Sequence, residues 1–435
     1  MTAHDTHAGS GHHHHVDPNE LVPLELYRRE VLARITSLEP IKLGLLEAHG
    51  CVLARDVVAA TDVPAFANSA MDGYAVRAEE VAEGGELKVV GEIAAGAVHL
   101  VEAGPGQAVR IMTGAPLPPG ADAVVPHELT EFTGGSPRPC EVEDRVRLRT
   151  SPRPGDNVRF AGEDVRAGET VLTAGRRLGA ADIGMLAAVG LSSVLVHPRP
   201  RVVVVSTGDE LAEPGAPLAP GQIRDSNSYT LTTMAREAGA TAYRLPIVRD
   251  DPGALLQAFE GALAHADLVV TSGGVSAGRY DFVKDVLSQL GDVRFTKVGM
   301  QPGMPQAFGC VVRDRWHEVP CFGLPGNPVS AYVSFEVFVR PAIRRLQGRT
   351  DLDRPRVTAV LDGPVRSPAH KVSFLRVTLH RADDGVWHAR STGAQGSGIL
   401  RSVVLADGLA EVPADVTEVP AGEGLVVHLL VDPAA

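Results

Sequence analysis

Apolar positions from Pro18 to Leu38 fall at helical spacing. Leu21, Leu24, Leu26, Tyr27, Val31, Leu32 and Ile35 form one stripe that ends near "SLEP", so the chain is predicted to open with an amphipathic helix. "IKLGLLEAHGCVLARDVVA" continues as a short helix, a glycine stop and a strand. From about Thr61 to Pro154 the pattern changes to short strands and turns, with "LKVVGEI", "GQAVRIMTG" and "DAVVPHE", which predicts a β-rich module. A return segment, "NVRFAGEDVRAGETVLTAGRRLGAADIGMLAAVG", ends in a helix for which Gly190 is the expected stop.

From Arg201 the rhythm changes again. "RVVVVSTGDEL" is an apolar β-branched run. It is followed by a helix over "SNSYTLTTMAREAGA" with Ser226 or Asn227 as its expected cap. "ATAYRLPIVRD" reads as strand, "DPGALLQAFEGALAHA" as helix with Pro252 in its first turn, and "DLVVTSGG" as strand. "RYDFVKDVLSQL" is helical, "VRFTKVGM" and "VPCFGLPG" are strands, and "NPVSAYVSFEVFVRPAIRRLQG" is a helix with a proline at its middle. Near-continuous apolar strands alternating with helices predict a mostly parallel sheet covered on both faces. The remaining stretch returns to β character in "RVTAVLDGPV", "SFLRVTLHR", "VWHARST" and "LVVHLLV", as expected of a small barrel or sandwich.

The expected fold class is therefore multidomain α/β and β. Its segments are a His-rich tail (1–17), helical and strand stretches at 18–60 and 155–198, which the family resemblance given below implies are one discontinuous region, a β-rich module between them (61–154) that the same resemblance implies is inserted, an α/β domain (199–348) and a C-terminal β domain (349–435). The length of 435 residues exceeds what one hydrophobic core organises, which agrees with this division.

Composition narrows the function classes. The formal charge of −12 argues against duplex nucleic acid or an anionic membrane as the main partner, since both require a basic face. Cys51, Cys140, Cys310 and Cys321 form no Cys-x-x-Cys pair, so neither a zinc site nor a disulfide framework is expected and a reducing cytoplasm fits. No apolar run approaches the roughly 18 residues that cross a bilayer. The opening "MTAHDTHAGSGHHHHVDP" is polar and His-rich, either a natural metal-binding tract or an expression remnant.

In open parallel sheets, ligands bind beyond the carboxyl ends of the strands. Three such ends here carry matching groups. "VVVVSTGDEL" supplies Thr207, Gly208 and Glu210; "LVVTSGGVSAGRYD" supplies Ser272, Gly273, Gly274, Ser276 and Asp281; "CFGLPGNPVSA" supplies Pro325, Gly326 and Asn327. Glycines let backbone amides approach an anion, hydroxyls add donors, and the following helices present their positive ends. Any one of these loops reads as a structural corner; three on one rim make a pocket for a phosphorylated ligand. Glu210, Asp250 and Asp281 also lie at predicted strand ends or first helical turns. Capping explains acids there, but hard carboxylates also hold Mg²⁺, which neutralises ligand phosphates. Lys297, Arg279 and Lys284 are the candidate bases.

The ordered strings "PAFANSAMDGYAV", "IMTGAPLPPGADAVVPHE", "RFAGEDVRAGE", "STGDEL", "IRDSNSY", "TSGGVSAGRYDFVKDVL", "VGMQPGMPQAFG" and "FGLPGNPVSAYVSFEVFVRP" resemble the molybdopterin molybdenumtransferase family, the bacterial relatives of the gephyrin E domain. The resemblance runs from about Pro18 to the C-terminus. It implies insertion of molybdate into adenylylated molybdopterin with release of AMP and with Mg²⁺ as cofactor. It also implies a homodimer whose site is shared between subunits. The enzyme that adenylylates molybdopterin and the molybdoenzymes that receive the cofactor are the further partners implied.

Carried over by position, Asp72 and Thr113 would come from the inserted module and Asp164 from the return segment, with Ser69 facing the ligand. Glu210, Asp250, Asp281 and Lys297 would line the α/β pocket, Ser272, Gly273 and Gly274 would lie near phosphate, and Ser397 in "AQGSG" would come from the C-terminal domain. The plainer readings are an Asp-Gly turn for Asp72 and a capping hydroxyl for Thr113. One departure stands out: where many members carry lysines, "KVGMQPGMP" keeps Lys297 but has Gln301 and Met304, which weakens the expected grip on anions. Two other functions stay open at this point, a molybdopterin adenylyltransferase and a non-catalytic molybdopterin-binding scaffold or carrier.

Overall fold

The computed structural model describes residues 21–133, 145–274, 282–314, 317–383 and 385–431. The chain folds as two compact units. One comprises residues up to Ile41, Gly50–Val52 and the chain from His197 onward; the other comprises Lys42–His49 and Leu53–Val196.

The opening helix, α1 (Leu24–Ala33), belongs to the first unit. Its stripe of Tyr27 and Val31, with Ile35 just beyond the helix, is buried in the same core as Leu231, Phe338 and Ile343. Tyr27 meets Phe338 edge-on with ring centroids 5.2 Å apart. The apolar spacing shows that a face of this helix is buried and not against what.

The second unit is built on a six-stranded sheet of β1 (Gly73–Val76), β2 (Glu86–Ile93), β3 (Gln107–Ile111), β4 (Ala123–Pro126), β5 (Thr130–Phe132) and β6 (Arg145–Leu148), in the order β4-β1-β3-β2-β6-β5. Both faces are covered. Tyr74, Val76, Val89 and Val125 pack on one side, and Ala75, Val109, Ile111 and Val124 on the other, so the alternation hydrophobic-in, polar-out is weak in the sequence. The return segment ends in α2 (Ala180–Ala188), and Gly190 stops it with φ +85°, as expected of a glycine just past a helix.

The α/β part of the first unit runs through β7 (Arg201–Ser206), α3 (Asn227–Glu237), β8 (Thr241–Arg244), α4 (Pro252–Leu263), β9 (Leu268–Ser272), α5 (Phe282–Leu290), β10 (Gly291–Lys297), β11 (Pro305–Asp314), β12 (His317–Leu324), α6 (Pro328–Ser334) and α7 (Arg340–Leu346). Its sheet has the order β8-β7-β9-β12-β11-β10. The first four strands are mutually parallel and β11 is antiparallel to both neighbours, so the sheet is mostly parallel as expected.

Strand β11 is absent from the sequence expectation, because its segment starts among the Pro and Gly of "QPGMP" and reads as turn chemistry. Val202, Val204, Leu268 and Val270 face one core, while Val203, Val205 and Val269 face another with Leu255 and Phe259. Burial on both faces is what makes these strands continuous apolar runs. The expected break in the last helix takes the form of a π-helical turn, Phe335–Val339, just ahead of Pro341.

The C-terminal strands β13 (Arg356–Leu361), β14 (Val372–Arg381), β15 (Trp387–Ser391), β16 (Gly408–Val412) and β17 (Gly424–Leu429) close into a five-stranded barrel. β14 pairs with both β15 and β16, and the barrel is filled by residues such as Leu361, Val377, Ala389 and Val427. Met300 and Gln301 add to β14 in parallel register. Arg354 grips the buried Glu336 through Nε and Nη2, both at 2.9 Å, and the Leu430 carbonyl through Nη1, also at 2.9 Å.

Between β16 and β17, His428 Nε2 lies 2.7 Å from Glu411 Oε2. The hydrogen bond from His428 holds the Glu411 carboxyl below its ordinary range, against the upward push of its burial. A depressed carboxyl contributes stability that is present above its unfolded value, near 4.3, and is lost as pH falls through the folded value. Replacing His428 with Ala is therefore expected to cost about 1 kcal/mol at pH 6 and little once the pH is below the folded value. Urea denaturation of both proteins across that range measures the difference.

Candidate active site

In the register of the parallel strands Ser206 is paired with Ser272 and Ser272 with Leu324, so the loops after β7, β9 and β12 leave the sheet at one level. Beyond them lies a cavity of about 580 Å³, with Thr207, Glu210, Ser272, Gly273, Gly326 and Asn327 in its lining. Pro325 also lines it.

The support of this cavity is Asp225, which no sequence argument singled out. Its side chain is 0% exposed. Oδ1 accepts from the Ser228 amide at 3.0 Å and from Ser206 Oγ at 3.3 Å, and Oδ2 accepts from Ser228 Oγ at 2.5 Å. Asp225 thus satisfies the free amide at the start of α3. The expected caps do not: Ser226 precedes the helix but its side chain makes no capping bond. Asn227 is turned to another task. Its Nδ2 donates to Ser272 Oγ at 2.8 Å and to the Gly326 carbonyl at 2.7 Å, strapping the second loop to the third. The signal was present in the string "IRDSNSY", but nothing in its spacing distinguishes the buried Asp from an ordinary cap.

Glu210 lines the cavity because of Gly208. At Gly208, φ +150°, a Cβ would stand 2.6 Å from both carboxylate oxygens of Glu210, so only glycine leaves the carboxylate where it is. Asp250 is not in the lining. Its Oδ1 accepts from Thr207 Oγ1 at 2.7 Å and so fixes the hydroxyl that does line it. The capping role allowed for Asp250 belongs to Asp251, whose carboxylate accepts from the Ala254 amide at 2.8 Å at the start of α4.

Among the described residues, the basic group in the cavity wall is Arg224, which donates to the Ala216 carbonyl at 2.7 Å. Of the bases chosen from the sequence, Lys297 and Lys284 are not in the lining. Lys297 ends β10 in register with Pro305, which lines the cavity, but its own side chain does not. Lys284 sits over the ring of Phe295, 5.6 Å from its centroid. Gly274 is likewise not part of the lining, and Ser276, Arg279 and Asp281 lie outside the described residues. Gln301 pairs through its backbone with Ser373 of the barrel, and Met304 is half-buried, so neither replaces the missing lysine charge.

Ser397 contributes through its backbone: its carbonyl accepts from the Val329 amide at 3.0 Å, which ties the barrel turn to α6 and sets the next residue, Gly398, in the cavity wall. That turn is held by Arg376, a residue the sequence reading missed. Its amide donates to Gln395 Oε1 at 2.9 Å, and Gln395 Nε2 returns a bond to the Arg376 carbonyl at 3.1 Å. Arg376 is 1% exposed, and its guanidinium bonds Ser402 Oγ and the Phe374 carbonyl and leaves Nη2 without a partner. Burial pushes it down to about 10. The available signal was an arginine set amid the apolar "SFLRVTL".

In the second unit, Asp72 and Thr113 form a pair. Asp72 Oδ1 accepts from the Thr113 amide at 2.6 Å and from its hydroxyl at 2.7 Å, on an exposed surface. The Thr113 amide first, and then its hydroxyl, hold the Asp72 carboxyl below its ordinary range. Asp72 is therefore more than the turn residue of an Asp-Gly corner. Ser69 is 0% exposed, and its hydroxyl donates to the Met71 carbonyl at 2.5 Å, closing the turn before β1. Asp164 is exposed, with its amide bonded to the Val63 carbonyl at 3.0 Å.

The donor set of the cavity is hard oxygen, Glu210 with the hydroxyls of Thr207 and Ser272, which suits Mg²⁺ completed by phosphate oxygens better than a softer ion. Among the described residues no third carboxylate joins Glu210 and Asp250 in a metal-binding cluster.

Comparison with known proteins agrees along most of the chain. Residues 22–190 match the MoeA N-terminal region (domains I and II), 203–345 a probable molybdopterin-binding domain and 358–430 the MoeA C-terminal region (domain IV). Molybdopterin molybdenumtransferase 2 of Mycobacterium tuberculosis is 44% identical over 413 residues, 92% of this chain and 98% of that protein. The molybdopterin molybdenumtransferase of Haemophilus influenzae is 36% identical over 393 residues, 89% of this chain and 94% of that protein. Among solved structures, the molybdopterin biosynthesis MoeA protein of Pyrococcus horikoshii superposes with a TM-score of 0.77 at 33% identity, over 95% of this chain and all of that one. With the resemblance read from its motifs thus borne out in sequence and in fold, the chain belongs to the molybdopterin molybdenumtransferase (MoeA) family.

Proposed function

We propose that this chain works in molybdenum cofactor biosynthesis as a transferase that inserts molybdate into adenylylated molybdopterin with release of AMP. The observation that carries the reading is the cavity of about 580 Å³ at the level ends of three parallel strands, strapped by Asn227. Its backbone amides and hydroxyls suit phosphate, and its volume suits a pterin and its nucleotide.

On this reading the chain's own groups position and polarise, and none becomes covalently attached. Asn227 and Asp225 keep the loops rigid, so donors aimed at developing charge are in place before reaction. Thr207 is held by Asp250 with its hydroxyl oxygen free to accept a further bond. Mg²⁺, held by Glu210 and ligand phosphates, would supply Lewis-acid polarisation of the phosphoanhydride. The cavity wall carries Arg224 against Glu210 and Asp225, and an anionic ligand is better received there with such a cation present.

Asp72, Thr113 and Asp164 belong to this proposal as groups contributed by a second copy of the chain in a homodimer. The pair Asp72–Thr113 is exposed and fixed, as a contributed wall requires. Mixing the Asp72→Ala and Glu210→Ala proteins tests this. Random exchange of subunits leaves about a quarter of the sites intact, so activity is expected to return to about that fraction. No recovery on mixing, with exchange demonstrated, excludes a shared site.

On this reading the chain works in the cytoplasm, with the adenylylating enzyme as its source of substrate and molybdoenzymes as recipients. No helix among the described residues is long and apolar enough to cross a membrane.

A further inference from the structure

We propose that Asp362, His380 and His388 form a binding site for a late first-row divalent metal ion such as Zn²⁺, Ni²⁺ or Co²⁺, on the outer face of the C-terminal barrel. The site lies apart from the cavity described above, and the inference does not depend on the proposed function.

The ligands come from three neighbouring strands. His380 on β14 stands directly opposite His388 on β15, and Asp362 just after β13 is tied to β15 by its amide, which donates to the Ala389 carbonyl at 3.0 Å. Their chain neighbours Leu361, Leu379 and Ala389 pack in or against the barrel core, so strand alternation turns all three ligands outward. One ligand atom from each lies within 4.8 Å of the others. The rings of His380 and His388 are 5.3 Å apart between centroids and inclined by 36°.

The distances suit a metal. His388 Nδ1 lies 3.0 Å from Asp362 Oδ1. Two ligands each about 2.0–2.1 Å from an ion, as Zn²⁺ takes with His and Asp, are about 3 Å apart when they subtend roughly a right angle. An ion can therefore replace the proton now shared by this pair without backbone movement, and His380, which is exposed, completes the set by side-chain rotation alone. The other carboxylate oxygen, Oδ2, accepts from Arg390 Nε at 3.0 Å, the kind of outer partner that orients a ligating carboxylate. Two imidazoles and one carboxylate favour Zn²⁺, Ni²⁺ or Co²⁺ over Mg²⁺, and three protein ligands leave room for water. The plain alternative is a surface His–Asp pair of small energetic consequence.

The test uses the full-length chain with the six histidines of residues 1–15 replaced by Ser, because those would bind the same ions. Titration with Co²⁺ at pH 7.5, followed by visible absorption, is expected to show one saturable equivalent. His380→Ala and Asp362→Asn are each expected to weaken it by at least about 10-fold, and Arg390→Gln by less. Millimolar Mg²⁺ is expected not to compete. Absence of saturable Co²⁺ binding, or binding that His380→Ala leaves unchanged, would overturn the proposal. His380 is exposed, so this variant decides the matter even if Asp362→Asn folds poorly.

Discussion

Replacing Asp225 with Ala is expected to destabilise the start of α3 by about 3–5 kcal/mol, the largest stability effect of any single change at the candidate site. The loss has two parts. The Ser228 amide, which is the capping bond of the helix, the Ser228 hydroxyl and the Ser206 hydroxyl all lose a buried acceptor. Arg244, whose Nη1 is 3.9 Å from Asp225 Oδ2, loses part of its compensating charge, although Glu213 still holds it at 2.9 Å. Asp225→Asn keeps the shape and one acceptor, so a smaller loss, about 1–2 kcal/mol, is expected. Hydrogen exchange at the α3 amides reads the effect locally, without requiring a chain of two units to unfold in one step. A loss below about 0.5 kcal/mol for the Ala variant would mean that Asp225 does not organise the cavity.

The second large effect is chemical. Glu210→Gln is expected to lower molybdate-dependent AMP release by about 10²–10³-fold, the range seen when one preorganised electrostatic group is removed from an active site. The fold should be indifferent to this change. Glu210 lines the cavity, its carboxylate lies against Gly208, and the Gln is nearly isosteric. Steady-state kinetics with a thermal melt of each protein separates the two: an unchanged melt with a collapsed kcat supports the role, and an unchanged kcat removes it.

Much of the architecture was legible because parallel strands buried on both faces announce themselves as apolar runs such as "RVVVV" and "DLVV", and because glycines and prolines punctuate them. Strand β11 was not legible, since an antiparallel strand opening on "QPGMP" looks like a turn and is made a strand only by two neighbours far away in sequence. The placement of α1 shows the same limit, as a stripe does not name its partner.

At the site, the rim loops could be found because glycine and hydroxyl residues follow each strand. Asp225, Asn227 and Arg224 were missed because their roles depend on burial and on which loop faces which. The bond Ser69 makes to its own turn could not be read either, since a hydroxyl in a turn looks the same in sequence whether it faces solvent or closes its own backbone. Lys297 and Asp250, which the resemblance would place in the lining, are not among the cavity's lining residues, and Asp250 instead bonds Thr207, which is.

The central claim is that the strand-end cavity of this chain exchanges the adenylyl group of adenylylated molybdopterin for molybdenum. Quantifying AMP released by the full-length protein, with molybdate and Mg²⁺ present or omitted, tests it most directly. The account predicts AMP only when molybdate and the adenylylated pterin are supplied together, with release abolished in Glu210→Gln and strongly reduced in Asp72→Ala. AMP release that ignores molybdate, or ATP-dependent adenylylation of free molybdopterin in its place, would contradict it.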